Sequence, residues 1–174
     1  MFKSLDMRVI VILALNLCYL IILGVVNSEV APYVRIMLPS IFIVAPALFL
    51  GWGWAAFIVL LSAFLMSAFL PVRFGILAAL WLASAFAVRH IRFRFRALDT
   101  FSLVSLQLFL NVLLVFIYAC ALAGDFVEWK AYILRVSWDM AFSSLVVALS
   151  GRFFSMLPVY ICSLIDVNCQ ISEN

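Results

Sequence analysis

The chain has 174 residues, of which 69% are hydrophobic and 11% charged, with a formal net charge of +3. Charged residues make up about a quarter of a soluble globular domain, so this composition excludes that class and points to an integral membrane protein. At roughly 20 residues per crossing helix there is room for five or six spans in one bundle. The small positive charge, drawn mainly from one segment, suits anionic lipid headgroups and not nucleic acid.

Met1 to Arg8 places Lys3 and Arg8 ahead of an uncharged run from Val9 to Ser28. This has the basic and apolar regions of a signal peptide, but the run exceeds the ~7 to 15 residues of a signal-peptide core and no A-x-A site follows. The expectation is a retained first helix over about 9–27, with its N-terminus in the cytoplasm. Asn16, in its middle, needs a partner for its amide and should face the bundle.

A short polar loop follows, Asn27 to Arg35, and no charge then occurs from Ile36 to Val72, enough chain for two spans. Gly51-Trp52-Gly53-Trp54 is the natural break, because glycine permits a tight turn and indoles prefer the membrane–water boundary. The second helix is expected at about 36–50 and the third at about 54–70. Pro39 and Pro46 in the second each remove a backbone hydrogen bond. Either they kink a helix that lines a cavity, or they sit at a helix start and a lipid-facing bend.

The segment from Arg73 to Arg96 organises the topology. After the Pro71-Val72-Arg73 turn comes an apolar fourth span, about 74–88, and then Arg89, His90, Arg92, Arg94 and Arg96. Four of the chain's eleven Lys and Arg residues fall within these eight positions, 89–96. Such clusters beside short spans accumulate on the cytoplasmic side. Within the span, Ala79, Ala83 and Ala87 recur every four residues, putting small side chains on one face where a neighbouring backbone can approach. That face is expected to pack against another helix, in the bundle or in a partner.

Asp99 and Thr100 supply an N-cap for a fifth helix, about 101–123. Gln107 and Asn111 lie on one of its faces, able to hydrogen-bond to each other or across to another helix. Gly124 to Glu128 is a turn with two acids and no base. A sixth span is expected over about 129–150, with Arg135 and Asp139 one turn apart and neutralising each other. Deep in the membrane such a pair is a functional candidate, and near its surface it is an interfacial anchor. Residues 153–165 read as the end of that helix or as an interfacial segment broken at Pro158, and Asp166 to Asn174 as a polar tail.

Six spans with both termini inside place Lys3, Arg8, Arg89, Arg92, Arg94, Arg96 and Arg152 in the cytoplasm and only Arg35, Arg73 and Lys130 outside. The expected fold is therefore an all-α, N-in and C-in membrane bundle. Cys18, Cys120, Cys162 and Cys169 form no C-x-x-C pair and read as small apolar residues. His90, inside the arginine run, reads as a solvated loop residue. No Gly-rich phosphate loop, H-E-x-x-H or G-x-S-x-G occurs, so neither an enzyme nor a cofactor is expected.

The order of features from Pro39 to Arg96 resembles the bacterial rod-shape-determining MreD family. Its pieces here are Pro39, the Gly51 to Trp54 turn, the Ala55 to Leu70 span, the Pro71 to Gly75 loop with its glycine, and the basic run Arg89 to Arg96. A family aspartate late in the third span is replaced by Phe64, and an asparagine of the last span by Ser143 or Ser144. The resemblance implies a non-enzymatic inner-membrane scaffold of the cell-elongation machinery. Its implied partners are membrane lipids and an MreC-like single-span protein, and through that the wall-synthesising glycosyltransferase and transpeptidase. MreD-like proteins are similar in fold to the S components of energy-coupling-factor transporters, so a vitamin-binding S component is the alternative. That alternative needs polar groups converging from the first outer loop and the later spans.

Overall fold

The computed structural model describes residues 7–30, 33–68, 74–91, 100–122 and 129–164. These form an all-α bundle of six helices: α1 (Met7–Val30), α2 (Pro39–Phe49), α3 (Trp52–Ser67), α4 (Phe74–Ile91), α5 (Thr100–Leu122) and α6 (Trp129–Leu164). α1, α5 and α6 are long and apolar enough to cross a membrane, while α2, α3 and α4 are shorter apolar helices. The chain is a membrane-associated helical protein. Arg92, Arg94, Arg96, Asp99, Cys169 and the polar tail lie outside the described residues.

The hub of the bundle is α2. All eleven of its residues are buried, and it packs against each of the other five helices. It starts later than hydropathy suggested. Pro39 occupies the first helical turn, where its missing N–H is no loss and its fixed φ suits a helix, whereas the residue before a proline is pushed out of the helical region. Residues 34–38 accordingly run without helical structure. At about 1.5 Å per residue, α2 is only about 16 Å long and falls short of the hydrocarbon core.

Pro46 lies inside α2. Lacking an N–H, it cannot donate to the carbonyl four residues back, which belongs to Phe42. The Asn16 side chain of α1 supplies the replacement: its Nδ2 donates to Phe42 O at 3.3 Å. The second proline is buried and so does not sit at a lipid-facing bend. It opens a backbone acceptor at the centre of the bundle that another helix fills.

The other boundaries shift for local reasons. α3 begins at Trp52, because Gly51 alone makes the break and the Ala55 N–H already donates to Gly51 O at 2.9 Å. Gly53 and Trp54 are thus helical. α4 runs on to Ile91, so Arg89 and His90 belong to its last turn. α6 continues unbroken through Gly151 and Pro158 to Leu164, which makes 153–164 its continuation; at 36 residues it is about 54 Å long.

Burial departs from the pattern of soluble proteins: beside an apolar core, polar side chains lie inside and large apolar ones outside. Asn16, Ser40, Ser62, Gln107, Asn111, Ser143 and Ser155 are all buried, while Ile21, Phe101, Phe109, Leu134, Leu149 and Leu164 are each more than half exposed. In hydrocarbon a buried polar group finds partners only inside the protein, and an apolar one gains little by hiding from lipid.

Candidate functional site

Residues 35–37, between α1 and α2, make a polar seam with α1 and α6. The Asn27 side chain pairs with the Ile36 backbone in both directions, Nδ2 donating to Ile36 O and Ile36 N–H to Oδ1, each at 2.8 Å. Arg35 N–H donates to Asp139 Oδ1 at 2.8 Å. Met37 N–H donates to Ser143 Oγ at 2.9 Å. Three consecutive backbone N–H groups are thus satisfied by side chains of two helices, which allows non-helical backbone within a membrane bundle.

Asp139 holds this seam with one oxygen and Arg135 with the other, its Oδ2 lying 3.5 Å from Arg135 Nε. The Asp139 side chain is 13% exposed and that of Arg135 46%. The pair therefore has an outward cation and an inward anion, and the anion's second role is to fix the loop before α2. Nothing in the local sequence announces a contact between positions 104 residues apart. Asn27 and Ser143 carry no signal of their own either.

In the core, Asn16 Nδ2 also donates to Ser62 Oγ at 3.3 Å, tying α1 to α3. Ser40 Oγ donates to Asn111 Oδ1 at 3.4 Å, linking α2 to α5. Gln107 Nε2 donates to Ser155 Oγ at 2.8 Å, linking α5 to α6. The two amides, one turn apart, reach different helices and not each other. Asn111 Nδ2 and Gln107 Oε1 have no hydrogen-bond partner among the described residues.

The Gln107 oxygen rests on Gly151 of α6. A Cβ added there would lie 2.5 Å from Oε1, so only glycine leaves this amide its place. A glycine within an apolar helical run is a readable sign of such close approach.

At the other side of α2, its C-cap residue Leu50 presents its carbonyl, and Arg89 Nη1 donates to it at 2.9 Å. A cation at a helix C-terminus both satisfies an orphan carbonyl and opposes the helix dipole. Arg89, expected in a cytoplasmic loop, is thus a cap for the central helix. Nearby, Trp52 meets Phe86 edge-on at 5.8 Å, and Phe86 stacks on His90 at 6.4 Å.

Leu77, Trp81, Ala85 and Val88 form the face of α4 that packs inward. The Trp81 ring stacks on Phe42 with centroids 6.0 Å apart, and its indole N–H donates to Tyr118 OH of α5. Ala79, Ala83 and Ala87 are exposed on the opposite side. No described helix covers them, so among the described residues the small face expected to meet a helix looks outward.

Cys162 is buried, and Cys18 and Cys120 are exposed. No group of three or more His, Cys, Asp or Glu suited to a metal occurs among the described residues. No family model, no curated protein and no solved structure matches the chain.

Proposed function

We propose that this chain is a non-enzymatic scaffold of a bacterial inner membrane, an MreD-like component of the cell-elongation machinery. It binds an MreC-like single-span protein and, through it, the glycosyltransferase and transpeptidase that build the wall. In this reading both termini and the basic run lie in the cytoplasm, where Arg92, Arg94 and Arg96 each add about 1 kcal/mol of attraction to anionic lipid.

One observation supports a scaffold over an S component. Three polar side chains beside the first interhelical loop and on α6, which a vitamin site would draw on, are committed to the chain's own backbone: Asn27, Asp139 and Ser143 hold Arg35, Ile36 and Met37. The apolar faces left for a partner helix in this reading are the Ala79, Ala83, Ala87 face of α4 and the flank of α6 at Leu134, Trp138, Leu145 and Leu149.

Affinity purification from the native membrane in mild detergent, with mass spectrometry of proteins and small molecules, tests the reading. A co-purifying single-span periplasmic protein with wall synthases is the expected result. An ATPase pair with a membrane coupling subunit, or a tightly held vitamin, would move the chain to the transporter class.

A further inference from the structure

The bundle contains a lateral cavity between α1 and α6, of about 170 Å³, that the scaffold reading does not use. Tyr19, Leu23 and Val26 of α1 form one wall, Val146 and Phe154 of α6 the other, and Phe42 of α2 part of its floor. Among the described residues no charged side chain lines it, and its one polar side chain is Tyr19, whose buried hydroxyl has no hydrogen-bond partner among those residues. Tyr19 of one wall meets Phe154 of the other edge-on at 4.6 Å.

Its position and shape narrow the occupant. Tyr19 and Val146 sit near the midpoints of α1 (Met7–Val30) and α6 (Trp129–Leu164), two helices long and apolar enough to cross the membrane. With Val26, Ile36 and Leu38 as its other limit, beside the seam of residues 35–37, the cavity runs from the middle of the bundle toward that end, along the path of a lipid tail. From Tyr19 to Val26 its α1 wall rises about 10 Å along the helix axis, so the space is a slot aligned with the direction of a lipid chain.

The mouth is continuous with the apolar surface that the membrane already covers, since Ile22 lines the cavity and is 58% exposed. Apolar cavities of about 150 Å³ stay dry and take up apolar guests. We propose that this slot binds the terminal part of one phospholipid acyl chain, held between α1 and α6 as a fixed part of the bundle.

The test uses the full chain in nanodiscs containing a phospholipid with a diazirine at the end of one acyl chain. Photolabelling of the wild type should concentrate on the cavity walls, above the outward residues Phe109 and Phe116 of α5. Val146→Trp, which fills the slot, should reduce wall labelling to the level of those outward residues. Phe57→Trp, on the exposed face of α3, should leave it unchanged.

Equal labelling of the cavity walls and the outward α5 residues would overturn the assignment. So would preferential labelling by a polyisoprenyl diazirine in competition, or crosslinking of the walls to a co-purified protein helix.

Discussion

α4 and α6 both carry small residues at helical spacing, and they use them in opposite ways. On α6 the buried stripe is Ser143, Val147, Gly151, Ser155, Pro158 and Cys162, and the large side chains Leu134, Trp138, Leu145 and Leu149 look outward. On α4 the small residues Ala79, Ala83 and Ala87 look outward, while Trp81 is fully buried against α2 and α5. A small-residue stripe marks where another backbone can come close. It does not say whether that backbone belongs to the same chain. On α6 the approaching element is α5, whose Gln107 amide lies on Gly151; on α4 no element of the described chain occupies the stripe.

The largest expected effect is on the inward side of α4. Trp81→Ala removes a buried indole and the bond to Tyr118, and should lower stability by about 4 kcal/mol, read as a loss of thermal stability in detergent. If Trp81 were lipid-facing, the change would be near zero. Gly151→Leu on α6 comes next, at about 3 kcal/mol, because overpacking and the displaced Gln107–Ser155 bond act together. Pairing Gly151→Ala with Gln107→Ala should recover part of the cost of Gly151→Ala alone, and strict additivity would contradict the contact.

Asp139→Leu leaves the Arg35 N–H without its acceptor, for about 2 kcal/mol. Asn16→Leu is expected to cost about 1 kcal/mol, in the range of interhelical hydrogen bonds in membranes. In a Pro46→Ala background that cost should shrink, since the new backbone N–H at this position could donate to Phe42 O within α2. An undiminished cost would mean that Asn16 acts through Ser62 instead.

The smallest effect on the fold is predicted at Ala83. Ala83→Leu should change the stability of the isolated protein by less than about 0.5 kcal/mol, yet reduce recovery of a single-span partner from the native membrane. Full recovery would assign that face to lipid. Outside the described residues, replacing Arg92, Arg94 and Arg96 together by Glu should invert or disrupt topology in reporter fusions after Ala97, as the charge rule requires.

These contrasts also show what could be read from the chain. Helix number and rough position were legible, because stretches of uncharged residues must be satisfied by helices in a membrane. The inward direction of α1 and α5 was legible as well, through Asn16, Gln107 and Asn111. The start of α2 was not, since the helix begins only after a stretch of backbone held by Asn27, Asp139 and Ser143, and those residues are distant in sequence. The inward face of α4 was hidden for another reason. The alanine spacing suits a helix of the bundle or of a partner equally, and only the Phe42 and Tyr118 partners of Trp81 show which side faces in. The role of Arg89 followed from where α2 ends, which local hydropathy does not encode.

The central claim is that Asn27, Asp139 and Ser143 are committed to the backbone of residues 35–37, as the proposed scaffold reading requires. Hydrogen–deuterium exchange of the Arg35, Ile36 and Met37 amides, in nanodiscs without added ligand, tests it directly. Protection comparable to that of the helices, lost at Arg35 in Asp139→Leu and at Met37 in Ser143→Ala, is the predicted result. Exchange at the rate of an open loop, slowed by a vitamin, would contradict it.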